Sequence, residues 1–271
     1  MGAEAYLQSG DLEKTLTELK EEIRKKPEKI ELRIFLFQLL SVMGQWERAI
    51  TQLNVAAEMD SDVFLMAQIY RPALNCEVLR ANVFQGTRTP LFFGEPSDWM
   101  VWLTQIPALL SAGESKAAAE LRNKSFDAAP AVSGQIDGKE FAWIADADER
   151  LGPILEAIIN GKYYWVPFER IRKLQIEKPV HLRDVIWTTA TFTWTNEGQA
   201  MGLIPSRYPG SEQEADKGFR MSRKTVWQDM GNSFFIGLGQ RMLATDQGEY
   251  SLLDIREVTL NNLDNSSGES L

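Results

Sequence analysis

Two stretches near the start of the chain repeat one another, and that repeat limits the fold more than any other feature. GDLEKTLTELKEEIRKKP begins at Gly10 and GQWERAITQLNVAAEMDS at Gly44, 34 residues later. Aligning the glycines sets Leu12 against Trp46, Glu13 against Glu47, Leu16 against Ile50 and Leu19 against Leu53. Within the first stretch Leu12, Leu16, Leu19 and Ile23 follow the i, i+4, i+7, i+11 spacing of a helix with one apolar face. Pro27 stops that helix, because its ring cannot continue the hydrogen-bond ladder.

A unit of this length, with helices packed antiparallel across a glycine turn, has the period of the tetratricopeptide repeat. Ala49 and Ala56 fall where small residues let helices approach, with Thr15 and Glu22 at the equivalent places of the first unit. A third unit is expected from about Ser61, with Val78 in place of the glycine and Pro72 kinking or splitting its helix. Phe35, Leu36, Leu39, Leu40, Trp46 and Ile50 read as bundle core. Stacked helical hairpins also make a concave groove that receives a peptide or a partner helix. The register places Glu31, Ile34, Gln38 and Ser41 on that groove, followed by Leu65, Gln68 and Asn75 from the third unit. So short an array must lean on the rest of the chain, which predicts connector helices over residues 98–126.

The texture changes after AAPAVSGQIDGKE, where Ser133-Gly134 and Asp137-Gly138 mark turns. VIWTTATFTW, at 185–194, is β-branched and aromatic with no helical period, and so predicts a strand. YYWVPF from Tyr163, MGLIP from Met201, SFFIGLG from Ser233 and YSLLDIREVTL from Tyr250 are further strands. The fold class is therefore α+β: TPR-like helical hairpins with connectors over 1–130, a mostly antiparallel β-rich domain over 131–260, and a polar tail, 261–271, expected to be disordered.

Chemistry, if any, concentrates in WIADADERLGP. Asp146, Asp148 and Glu149 could hold a divalent metal or do acid–base work in a metal-dependent enzyme. A structural reading competes. Leu151, Ile154, Leu155, Ile158 and Ile159 have helical spacing, which predicts a helix over 147–159 with Asp146 at its N-cap and Glu149 completing a capping box. The single histidine, His181, lies in EKPVHLRD and reads as a surface-loop residue, and no G-x-S-x-G elbow accompanies it. With one cysteine, Cys76, the chain has no internal disulfide and suits a reducing compartment, and a Cys/His zinc site is out of reach. GLGQRM lacks the third glycine of a dinucleotide loop, and RYPGSE reads first as a Pro-Gly turn. The tryptophans read as core before they read as a ligand-stacking surface. A net charge of −9 argues against nucleic acid as a partner. No run of about 18 apolar residues predicts a membrane span, and MGAEAYLQSGDLEK carries no secretory signature, so the cytoplasm is the expected location.

Longer phrases carry more than these motifs. VFQGTRTPLFFGEPSDWM, GQIDGKEFAWIADADERLGPILE, NGKYYWVPFERIRKLQIEKPVHLRD and GLGQRMLATDQGEYSLLDIRE together resemble the ImpE/TagJ/SciE family of accessory proteins encoded with bacterial type VI secretion systems. The resemblance runs over nearly the whole chain. It implies a cytoplasmic accessory factor rather than an enzyme, with no catalytic residues, metal or cofactor to carry over. The implied partner is the contractile sheath, through a helical segment of its smaller subunit TssB. The implied role is tuning sheath assembly, or its disassembly by the AAA+ unfoldase ClpV, an indirect partner. The repeat groove is one surface on which such a helix could lie, and the Trp-rich second half is the other.

Overall fold

The computed structural model describes residues 2–262, and the expected disorder of the tail lies, for residues 263–271, outside the described residues. Five helices open the chain: α1 (Ala3–Gln8), α2 (Leu12–Lys25), α3 (Ile30–Val42), α4 (Trp46–Met59) and α5 (Ser61–Phe84). The repeat glycines do the work their spacing predicts. Gly10 and Gly44 adopt φ of 77° and 69°, a region that glycine enters without a Cβ clash. After Gly44 the Gln45 amide donates to Leu40 O and the Gly44 amide to Ser41 O, and the turn after α1 repeats this pattern. Two helix ends thus close their last carbonyls in the same way.

The third unit departs from the repeat. No turn forms at Val78, and α5 runs unbroken for 24 residues with Pro72 inside it. Pro72 removes one ladder hydrogen bond. The buried series Val63, Ala67, Tyr70, Leu74, Glu77 and Arg80 holds the helix together across that gap by packing it on the rest of the protein. Its glycine turn comes later, at Gly86.

A two-residue strand, β1 (Leu91–Phe92), leaves the helical part and pairs parallel to the sheet. Connectors α6 (Asp98–Leu103), α7 (Ile106–Ser111) and α8 (Ser115–Ala128) fill the predicted 98–126 segment. The remainder is β2 (Gly134–Ile136), β3 (Lys139–Phe141), β4 (Ile144–Asp146), β5 (Ile154–Ile159), β6 (Lys162–Pro167), β7 (Ile171–Ile176), β8 (Trp187–Trp194), β9 (Gln199–Pro205), a short helix α9 (Lys217–Arg220), β10 (Thr225–Asp229), β11 (Phe235–Gly239), β12 (Met242–Thr245), β13 (Gly248–Ser251) and β14 (Glu257–Leu260). Nine strands form one sheet in the order β1-β6-β5-β9-β8-β7-β14-β2-β3, antiparallel at every step but the first. A three-stranded sheet, β13-β12-β4, and the β10-β11 hairpin complete the fold.

Two expectations are corrected here. Residues 147–159 are not a helix: 147–153 are turns and 154–159 are β5. Every residue of β5 is buried, Ile154 and Ile158 against the helices and Leu155, Ala157 and Ile159 against the opposite core. A strand covered on both faces loses its polar alternation, and its apolar run then mimics a buried helix. The stretch at Tyr250 is likewise not one strand but β13 and β14, with Leu252 and Ile255 turned into the core between them.

The helices and the sheet share one core. Leu53, Leu74 and Trp99 belong to the same buried cluster as Ile154, Trp165 and Trp187. Trp187 of β8 packs on Trp46 and Tyr70 with ring centroids 6.1 and 5.8 Å apart. A second core, including Leu155, Phe192, Leu243 and Val258, fills the other face of the sheet beneath the small sheet. Of the predicted bundle core, Leu36, Leu39 and Leu40 are buried, and Phe35, Trp46 and Ile50 are half-buried.

Two glycines with the same backbone separate conformational strain from contact. Gly10 has open space where a Cβ would go, whereas a Cβ on Gly86 would meet the Ala108 backbone at 2.3 Å. Gly10→Ala is expected to cost about 1–2 kcal/mol in urea unfolding, the left-handed backbone penalty alone. Gly86→Ala must also displace α7, so its loss should be clearly larger, and equal losses would refute this packing.

Candidate functional site

The acidic stretch lies inside the protein. Asp146 ends β4 at 2% exposure and Asp148 follows at 0%. The Arg241 guanidinium pairs with Asp146, whose Oδ1 accepts the Tyr208 hydroxyl at 3.0 Å and the Asp148 amide at 2.9 Å. Asp148 takes Arg150 through Nε at 2.9 Å and Nη2 at 2.5 Å, and also the Gly237 amide at 2.9 Å. Glu149 accepts Arg122 Nη1 at 2.5 Å and the Phe235 amide at 2.6 Å. Each carboxylate therefore has its own guanidinium, and none is an N-cap or member of a capping box. Among the described residues, no group of three His, Cys, Asp or Glu side chains could hold a metal ion.

These pairs belong to a larger buried network centred on Glu156 in β5. Arg80 of α5 grips Glu156 with Nε at 2.6 Å and Nη2 at 2.8 Å, while Arg241 and the Tyr163 hydroxyl bind it as well. Glu77, one turn before Arg80, accepts the Trp187 indole at 2.8 Å. Arg207 lies at 2% exposure and donates to Val42 O at 2.8 Å and Ser41 O at 3.1 Å, the carbonyls at the end of α3. Burial pushes the Asp146 carboxyl up to about 6 against the pull of Arg241. Burial acts on Glu156 too, but Arg80 and Arg241 outweigh it and bring the carboxyl down to about 2. The network is electrostatic glue between α3, α5 and the sheet. Sequence reasoning missed Arg207 and Arg241, because arginine ordinarily marks the surface.

The predicted groove residues divide into two groups. Gln38 and Ser41 are buried within this chain, Gln38 against the single turn Leu182–Val185 and Ser41 where its carbonyl accepts Arg207. Gln38 Oε1 accepts the Arg183 amide at 3.0 Å, and Arg183 Nε donates to the Tyr70 hydroxyl at 3.0 Å. The concave face is filled from within at these positions, and both residues are corrected from a free surface to an internal contact. His181 is exposed at the start of that turn, as expected of a loop histidine. Glu31, Leu65, Gln68 and Asn75 are exposed, and Ile34 is half-buried.

On α5, Leu65, Gln68, Ile69, Pro72 and Asn75 recur at helical spacing along one outward stripe. Leu65 is 66% exposed, Ile69 56% and neighbouring Phe64 47%. Beside them a cavity of about 330 Å³ opens between α5 and the sheet, lined by Gln68, Ile69, Pro72, Gly161 and Met201. Among the described residues, no helix is long and apolar enough to cross a membrane.

A helical array joined to a sheet by buried ion pairs, with exposed apolar residues on its longest helix, defines an α+β protein whose two parts share one core. Comparison with known proteins gives its kin. A family model described as ImpE protein matches residues 138–259. The type VI secretion system accessory component TagJ of Pseudomonas aeruginosa is 46% identical over 258 residues, which cover 95% of this chain and 90% of that protein. The X-ray crystal structure of a Vibrio parahaemolyticus protein matches with a TM-score of 0.87 over 96% of this chain and 98% of that one, and at 22% identity it supports the fold alone. The chain belongs to the ImpE/TagJ family of type VI secretion accessory components.

Two measurements test the network. Glu156→Gln leaves Arg80 and Arg241 buried without their shared counter-charge and should cost about 3–5 kcal/mol in denaturant unfolding. A loss below about 1 kcal/mol would mean that the guanidiniums are satisfied elsewhere. Millimolar magnesium, calcium or manganese should leave the melting temperature unchanged, since the acidic stretch is already neutralised. A rise that Asp148→Ala abolishes would restore a metal site there.

Proposed function

We propose that this protein is a cytoplasmic, non-enzymatic accessory factor of a type VI secretion system that binds a helical segment of the sheath subunit TssB. By holding that segment it modulates sheath assembly or ClpV-dependent disassembly, with ClpV an indirect partner. One observation carries the binding surface: Phe64, Leu65 and Ile69 stand exposed on a helix whose opposite face is deep in the core. Exposed apolar residues that cluster rather than scatter mark interaction sites. An amphipathic helix laid along such a stripe buries its own apolar face at i, i+3, i+4 and i+7 positions. The docking surface accordingly runs along α5 through Leu65, Gln68 and Asn75, with Glu31 and Ile34 of α3 as further candidates. Gln38 and Ser41, covered by the chain itself, are outside it. The relative named as a type VI secretion accessory component supports the setting, and the family resemblance supports the sheath as partner.

Calorimetric titration of the full chain with the N-terminal helical segment of its cognate TssB tests this reading. Leu65→Asp should weaken binding at least about tenfold, or roughly 1.4 kcal/mol, with an unchanged melting temperature. Absence of binding to the parent protein would sink the partner assignment. Normal binding by Leu65→Asp and by Asn75→Trp would move the site off α5.

A further inference from the structure

A different stripe of α3 carries a second surface. Arg33, Leu36 and Leu40 recur at i, i+3 and i+7, turned away from the stripe that holds Gln38 and Ser41. With Ile23 of α2, Leu36 and Leu40 floor a groove of about 320 Å³ between α2, α3 and α4. Lys20 and Arg24 from α2, Arg33, and Arg48 from α4 line it with cations, although the chain as a whole carries a net charge of −9. Arg24 is paired with Glu21 at 2.5 Å, while among the described residues Arg48 has only the neutral Gln45 amide. Arg33 reaches Gln52 Oε1 at 3.4 Å through Nη1, and its buried Nε has no acceptor at all. Among the described residues, that Nε is the one buried side-chain nitrogen or oxygen left without a partner. Such a group has lost its hydration without gaining a partner, and being buried it meets an acceptor only if the Arg33 side chain shifts.

We propose that this groove binds an acidic segment of a partner protein, with carboxylates on Lys20, Arg33 and Arg48 and an adjacent apolar side chain on Ile23. The chemistry selects this occupant in two ways. Lys20, Arg33 and Arg48 line the groove with no carboxylate partner among the described residues, and a carboxylate on the partner segment supplies the missing counter-charge. Half-buried Ile23 and the alkyl stems of the lining cations offer an apolar contact that an inorganic anion would leave uncovered and a peptide carrying both leucine-like and acidic side chains would cover. The site is separate from the α5 stripe and does not depend on the TssB reading.

The test uses the full chain and fluorescence anisotropy with a labelled amphipathic peptide of about 12 residues, leucines on one face and glutamates elsewhere. A matched peptide has glutamine at each glutamate. The glutamate peptide should bind saturably and the glutamine peptide at least about tenfold more weakly. Arg33→Glu and Lys20→Glu should each raise Kd by a similar factor, and Arg33→Met should weaken binding while its stem keeps the packing and the melting temperature. No saturable binding of the glutamate peptide, equal binding of both peptides, or charge reversals without effect would overturn the proposal. Displacement of the peptide by millimolar inorganic phosphate would overturn it in favour of a small-anion site. Leu65→Asp should leave this binding intact, while Arg33→Glu should leave the TssB titration intact, so each reading can fail alone. Loss of the glutamate peptide in Leu65→Asp would place the peptide on α5 and refute the groove.

Discussion

Glu156 is the point on which the two halves of the chain are joined. It sits in the middle of a strand buried on both faces, and it meets Arg80 from the helices and Arg241 from the turn before β12. A lone carboxylate could not be carried to that depth, since desolvation would neutralise it. Two guanidiniums and a tyrosine hydroxyl make it tolerable, and each donor comes from a different part of the sequence. Hydrophobic contact between α5 and the sheet would be satisfied by several small slips of one against the other. The pairing of Arg80 with Glu156, and of Arg207 with the last carbonyls of α3, admits only one. Such networks contribute more to the uniqueness of an arrangement than to its net stability, because desolvation offsets most of the Coulombic gain. The five buried arginines, Arg80, Arg122, Arg150, Arg207 and Arg241, suit this task through planar, forked donors, and no lysine is buried among the described residues.

This join decides what remains for partners. A free-standing helical array offers its concave face. Here Leu182–Val185, Arg183 and Arg207 occupy part of that face, and the repeat's most recognisable surface has become an internal interface. On the helical half, the outward stripe of α5 and the cationic groove over α2 to α4 stay open. Loss of the turn at Val78 matters for the same reason. By running on to Phe84, α5 gains the length to carry Glu77 and Arg80 into the network on one face while presenting Leu65 to Asn75 on the other.

The elements that could be read from the sequence are those set by local patterns. The Gly10 and Gly44 turns, helices α2 to α4, the connectors and the strands β6, β8 and β9 follow from spacing, turn residues and β-branched content. The failures have a common cause in long-range burial. The run LEAII has the apolar content of a buried helix because β5 is covered on both faces, and Asp146 and Glu149 fall at capping positions of that apparent helix by chance. Gln38 and Ser41 looked outward because nothing near them in sequence announces Arg183 or Arg207. The partners of Asp146 and Glu156 at Arg241 lie 95 and 85 residues away. Local periodicity holds no record of pairing at such distances, whereas the long phrases shared with a family carry the fold as a whole.

The charge distribution gives the two open surfaces different characters. The buried ionisable groups are close to balanced, so the surplus negative charge of the chain lies outside the core. An acidic partner approaching from afar meets repulsion, and at physiological salt that repulsion is screened beyond about 8 Å. Only on close approach do Lys20, Arg33 and Arg48 outweigh it, so the groove would select through short-range fit and not through steering. The α5 stripe has no such requirement, because its contacts are apolar and insensitive to sign. One face would then hold a helix by its hydrocarbon side while the other reads the acids of a separate segment, and neither contact requires the other.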